Sequence, residues 1–142
     1  MSAWLIYALL SAITAAAVAI LGKIGLQQLD ANTATAIRAV IMAVFLVGVV
    51  IVQGKIQLVQ TIVQDKKAIF VIALSGIAGA LSWLFYFMAI KVGKVSQVAP
   101  IDKLSVVFAV VFAVILFGEK ISLWAGVGVA LIAIGAILVA LN

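Results

Sequence analysis

Three ionisable side chains stand inside long apolar runs of this sequence: Arg38, Asp102 and Lys103. Charges in such surroundings are costly and face a cavity or a partner. Arg38 lies about five residues into its run, hence ~7 to 8 Å deep, and Asp102 and Lys103 lie about as deep in a later run entered from the same side. Equal depth makes contact among them an expectation. Asp102 would then neutralise Arg38 or Lys103, leaving one net cation to attract an anionic or carboxylate-bearing solute. A plainer reading stands beside it, in which the charges only tie two helix ends together or snorkel to the interface.

The rest of the chemical inventory is sparse. With no Cys and no His, disulfides, thiol catalysis and the usual zinc sites are excluded, and no imidazole titrates near neutral pH. No Walker motif, redox ligand set or nucleophile constellation occurs, so the sequence reads as neither an enzyme nor a metal or cofactor protein.

Polar and aromatic residues recur at helical spacing in two places. Trp4, Tyr7, Ser11 and Thr14 share one face, as do Ser75, Gly79, Ser82 and Tyr86. Both faces are expected to point inward, with Trp83 and Tyr86 offering aromatic surface to an apolar or planar solute. Close packing is the competing reading, since Ser75 with Gly79 and Gly76 with Ala80 are small-xxx-small pairs. Gly126, Gly128 and Gly135 read as packing or dimer-contact positions. Pro100 is expected in the first turn of a helix, the ordinary place for proline; the other reading is a break beside Asp102, with Gln97 satisfying the freed groups. Glu119-Lys120 reads as a hinge or helix cap.

The elements that must carry these residues follow from composition. Of 142 residues, 68% are hydrophobic and 9% charged, and the mean hydropathy is +1.46, far from the roughly 25% charged of soluble domains. A bilayer core about 30 Å thick needs ~20 helical residues. Five such runs are present, at about 3–22, 33–52, 68–90, 97–117 and 123–141. They imply an all-α integral membrane protein, one five-helix domain over residues 1–142, with no room for an extramembrane catalytic domain. Met1 to Ile13 carries no Lys or Arg, so the first run is expected to remain as a helix rather than serve as a cleaved signal. Between Gln53 and Lys67, Ile56, Val59, Ile62 and Val63 alternate with glutamines at helical spacing, which suits a short helix on the membrane surface; an ordinary loop is the alternative.

A net charge of +5 would point to nucleic acid in a soluble protein, but here the lysines fall at the ends of apolar runs, so nucleic acid is not an expected partner and the bilayer is. With five spans the termini lie on opposite faces. Lys55, Lys66, Lys67 and Lys120 fall on the N-terminal side and Lys23, Lys91 and Lys94 on the other; counting Arg38 with the latter makes the tally even. Such balance allows insertion both ways round. Trp4 and Trp124 fall at one interface, as an aromatic belt requires.

Two stretches carry a resemblance. Gly22-Lys23-Ile24-Gly25-Leu26 followed by Ala34 to Arg38 resembles the Lys-x-Gly-Leu and following Arg of the EamA branch of the drug/metabolite transporter superfamily. Tyr86 to Gly93, Val98-Ala99-Pro100, Phe117 to Lys120 and Gly126-Val127-Gly128 are similar to its signature across helices three to five. Pro100-Ile101-Asp102-Lys103 looks like the short five-helix members, where many longer ones carry apolar residues. Most members have ten helices in two inverted halves, and this chain resembles one half. The resemblance implies a substrate cavity assembled from two copies, hence a homodimer, antiparallel because an odd span count inverts the second unit. It implies a secondary transporter in the cell (inner or plasma) membrane, moving small metabolites, amino acids or drug-like solutes by alternating access. Two alternatives remain: a non-transporting subunit that stabilises or regulates a larger complex, and a small proton-coupled multidrug antiporter. The antiporter typically needs an acid in the first helix; here Asp102 is the acid within a span.

Overall fold

The computed structural model describes residues 2–141. The chain runs through α1 (Ala3–Gly25), α2 (Ala31–Val52), α3 (Ile56–Gln64), α4 (Lys66–Val92), α5 (Val95–Asp102), α6 (Leu104–Phe117) and α7 (Leu123–Ala140). Five segments are long and apolar enough to cross a membrane: α1, α2, α4, α5 with α6, and α7. Several outlast the apolar runs read from the sequence. α1 continues through Lys23 to Gly25 and α4 begins at Lys66, because a helix can carry lysines in its end turns while their ammonium groups reach the interface.

Local signals set the helix ends. The Asp30 carboxylate accepts from the Thr33 N–H and the Thr33 hydroxyl, both at 2.8 Å, and so caps α2, a contact worth about 1 kcal/mol. Asp65 accepts from the N–H groups of Lys67 and Ala68 at 3.0 Å, and Ser122 from that of Ala125 at 3.1 Å. α6 stops where Gly118 takes a φ of +65° and donates to the Val114 carbonyl at 3.1 Å, a left-handed cap that costs glycine nothing. The cap is thus Gly118, the residue before the Glu119-Lys120 pair that reads as a hinge or cap in the sequence. α3 answers the helix-or-loop question in favour of a helix, with every residue exposed.

The fourth span is broken. Because α5 begins at Val95, Pro100 is an interior residue and not a first-turn one, which corrects the expectation from the sequence. Proline has no N–H to offer the Ser96 carbonyl four residues back. The chain then tightens: Lys103 N–H bonds Pro100 O and Val106 N–H bonds Lys103 O, each at 3.0 Å and each spanning three residues instead of four. Regular helix resumes at Leu104.

By backbone proximity the described residues fall into two units, Met1–Ile24 with Ala89–Asn142, and Gly25–Met88. Within the first, α7 packs against α5 and α6, and Ala19, Ile90 and Ala136 are buried. Within the second, Leu26, Ala31 and Phe87 are buried. A Cβ added at Gly76, Gly79, Gly126, Gly128 or Gly135 would meet no heavy atom within 4 Å.

Candidate functional site

Residues four apart on a helix lie one above the other, so Trp83 and Phe87 stand together on α4, with ring centroids 5.8 Å apart. Tyr86 meets Phe87 edge-on at 5.4 Å. Arg38, in the third turn of α2, brings its guanidinium carbon to 4.2 Å from the Trp83 centroid and 4.0 Å from that of Phe87. Those distances with the 5.8 Å between rings close a nearly right-angled triangle. The rings therefore form a corner and not a sandwich, covering two sides of the guanidinium and leaving the others to whatever lies beyond.

The electrostatics of this corner are unbalanced. Each ring attracts the cation by about 0.5–2 kcal/mol, whereas taking an ion out of water costs several kcal/mol even after relaxation. Arg38 Nη1 is buried and has no hydrogen-bond partner; a charged donor left so is penalised by more than the ~1–3 kcal/mol of a neutral one. Phe87, at 1% exposed, is among the most buried side chains described. Sequence reasoning passed over it because one phenylalanine among many apolar residues carries no mark except its spacing from Trp83. The Trp83 face, read as surface for a solute, is occupied by Arg38.

Asp102 and Lys103 sit at the break of the fourth span. Lys103 Nζ donates to Asp102 Oδ2 at 3.1 Å, with side chains 56% and 33% exposed respectively. Neighbours in a regular helix do not face each other; the tightened turn at Lys103 departs from that regularity, and these two meet. Of the two partners offered to Asp102 by the sequence, the pair formed is with Lys103. Gln97 is half-buried in α5, its backbone N–H bonded to Lys94 O at 3.0 Å.

The two polar stripes differ in exposure. On α1, Trp4 and Tyr7 are 70% and 72% exposed, and Ser11 and Thr14 are exposed with them, so within the chain this face is uncovered. The Thr14 hydroxyl donates to Leu10 O at 2.9 Å and Ser11 O at 3.0 Å, which satisfies it without a neighbouring helix. On α4, Ser75 and Ser82 are exposed while Gly79 and Tyr86 are half-buried.

Lys23 has a role that its place near an apolar boundary concealed. Its ammonium donates to Ile90 O at 2.7 Å and Gly93 O at 2.9 Å, carbonyls at the C-terminal end of α4 that no further helical N–H reaches. Gly93 follows this end closely: its N–H bonds Ala89 O at 2.7 Å, and an added Cβ would lie 3.1 Å from both Ala89 O and Val98 Cγ2. The motif residues Lys23 and Gly93 thus clamp the end of α4.

No group of three or more metal-ligating side chains occurs among the described residues, and the clefts against α7, lined by Val110, Val114, Ile121 and Gly126 among others, are apolar. No solved structure matches the chain. It is similar to an uncharacterized transporter in the cobO 3' region of a Sinorhizobium species, with 42% identity over 137 residues covering 96% of both chains. Residues 2–141 match the EamA-like transporter family, and the chain, a multi-pass integral membrane protein, belongs to that family.

Proposed function

We propose that this protein is a secondary transporter of small metabolites, amino acids or drug-like solutes, working in the cell membrane by alternating access as an antiparallel homodimer. The observation that carries this reading is the broken fourth span. At Lys103 the regular ladder of the helix is interrupted within a segment of membrane-crossing length, and the Asp102–Lys103 ion pair stands at the interruption. Irregular backbone and ionised side chains at such depth are sustained where they line a cavity or are covered by protein, and transporters place solute and ion contacts at such breaks.

The dimer rests on length and charge. Five spans form one half of an inverted-repeat arrangement, and a second copy supplies the inverted half. Lysines divided nearly evenly between the two faces place little bias on orientation. The open glycine positions on α4 and α7 leave room for close approach by another helix.

Purified protein in liposomes tests transport directly. Uptake of at least one solute from a panel of amino acids, organic acids and amphiphilic cations is the expected result, and inert vesicles across that panel would favour the non-transporting subunit. For the dimer, tags at both termini in native membranes should each be accessible from both sides in separate populations. A single fixed orientation refutes the antiparallel assembly while leaving transport open.

A further inference from the structure

We propose that Arg38 is the binding site for an oxyanion, a carboxylate or a phosphate monoester, and that the Trp83–Phe87 corner is where its guanidinium rests when the anion is absent. The inference takes the transport reading further by naming a substrate class, and rests on that reading only in treating the anion as cargo.

A guanidinium presents five N–H donors in a plane that matches the two oxygens of a carboxylate or phosphate. In this corner, aromatic faces lie within 4.2 Å of the guanidinium carbon on two sides, and such faces supply attraction but no acceptor atom. Nη1 remains buried without a partner. The residue as a whole is half-buried, not sealed. A charge-assisted bidentate pair is stronger than either ring contact, so an arriving oxyanion draws the guanidinium off the rings. A neutral amide of the same shape does not. Asp102, the acid inside a span, is already paired with Lys103, and a hydrogen-bonded carboxylate gives up that partner only for a better one.

The Trp83 ring reports the event. In a W4F/W124F background Trp83 is the sole tryptophan left of the three, and its emission is read in phosphatidylcholine nanodiscs titrated with butyrate, butyl phosphate and the neutral control butyramide. The expected result is a saturable change with either anion at about tenfold lower concentration than any change with butyramide, lost in R38Q and retained at weaker affinity in R38K. A second arm adds phosphatidic acid, whose headgroup is a phosphate monoester, to the nanodiscs. An Arg38-dependent change there identifies a lipid phosphate as the oxyanion, and a change with the butyl anions alone identifies a solute. Equal response to butyrate and butyramide, or an anion response that survives in R38Q, overturns the proposal; the acid–amide comparison needs no Arg38 variant and so holds even if R38Q folds poorly. Flux in liposomes separates the two readings. Arg38-dependent binding without flux upholds the oxyanion site and removes transport, whereas flux of neutral solutes with no anion response upholds transport and removes the site.

Discussion

Replacing Lys23 by Met should cost this protein more stability than the loss of any lysine that does no more than snorkel. Methionine keeps most of the aliphatic stem and deletes the ammonium, which donates to Ile90 O at 2.7 Å and Gly93 O at 2.9 Å. Hydrogen bonds from a charged donor contribute about 1.5–3 kcal/mol each. The acceptors stand at the C-terminal end of α4, where a cation adds about 0.3–1 kcal/mol. Ile90 is fully buried, so its carbonyl has little access to a replacement donor. Allowing for the solvation that the freed Gly93 carbonyl regains, the loss is about 2–4 kcal/mol. At about 2–4 °C per kcal/mol for chains near this length, the apparent melting temperature should fall by about 5–15 °C. Fluorescence-detected size exclusion after stepwise heating in one detergent measures it, with Lys120→Met, at an exposed turn residue, as the matched control. A K23M protein that melts within about 2 °C of wild type or of K120M would refute the clamp, because two charge-assisted bonds cannot vanish at so small a cost.

Gly93→Ala places a methyl group 3.1 Å from a backbone oxygen and from Val98 Cγ2; overpacking of this kind costs about 1–3 kcal/mol, and a melting temperature equal to wild type would show that the α4–α5 junction yields freely. Pro100→Ala restores an N–H for the Ser96 carbonyl and straightens the fourth span, so the protein should become more heat-resistant while initial uptake slows severalfold; uptake at the wild-type rate would show that transport does not need the break. Asp102→Asn removes the acid at that break and should abolish any uptake driven by a proton gradient, and undiminished proton-driven uptake rules out Asp102 as the coupling group.

The spans were legible because hydropathy and length report bilayer crossing directly. Pro100 was misplaced for a local reason. The apolar run starts near Gln97, which puts proline in the first turn, whereas the helix starts two residues earlier, at Val95, and the same proline becomes an interior residue with no N–H for the Ser96 carbonyl. Hydropathy marks where side chains turn apolar; it does not mark where hydrogen bonding begins. Arg38 stands out in the sequence as a charge inside an apolar run, and a one-dimensional reading ranks acids first among its partners; the aromatic corner of Trp83 and Phe87 is set by how α2 meets α4.

The sequence by itself determined that the chain forms five membrane-crossing helical segments with lysines at their ends, while the structure chose a helix over a loop between the second and third and put Pro100 inside a helix. Only the tertiary structure decided that Lys23 closes the end of α4, that Arg38 rests on Trp83 and Phe87, and that the glycines of α4 and α7 face open space. The reason is physical. Each membrane helix satisfies its own backbone and is apolar nearly all round, so periodicity carries little information about which face meets which. The few polar atoms choose their partners only when the helices are brought together.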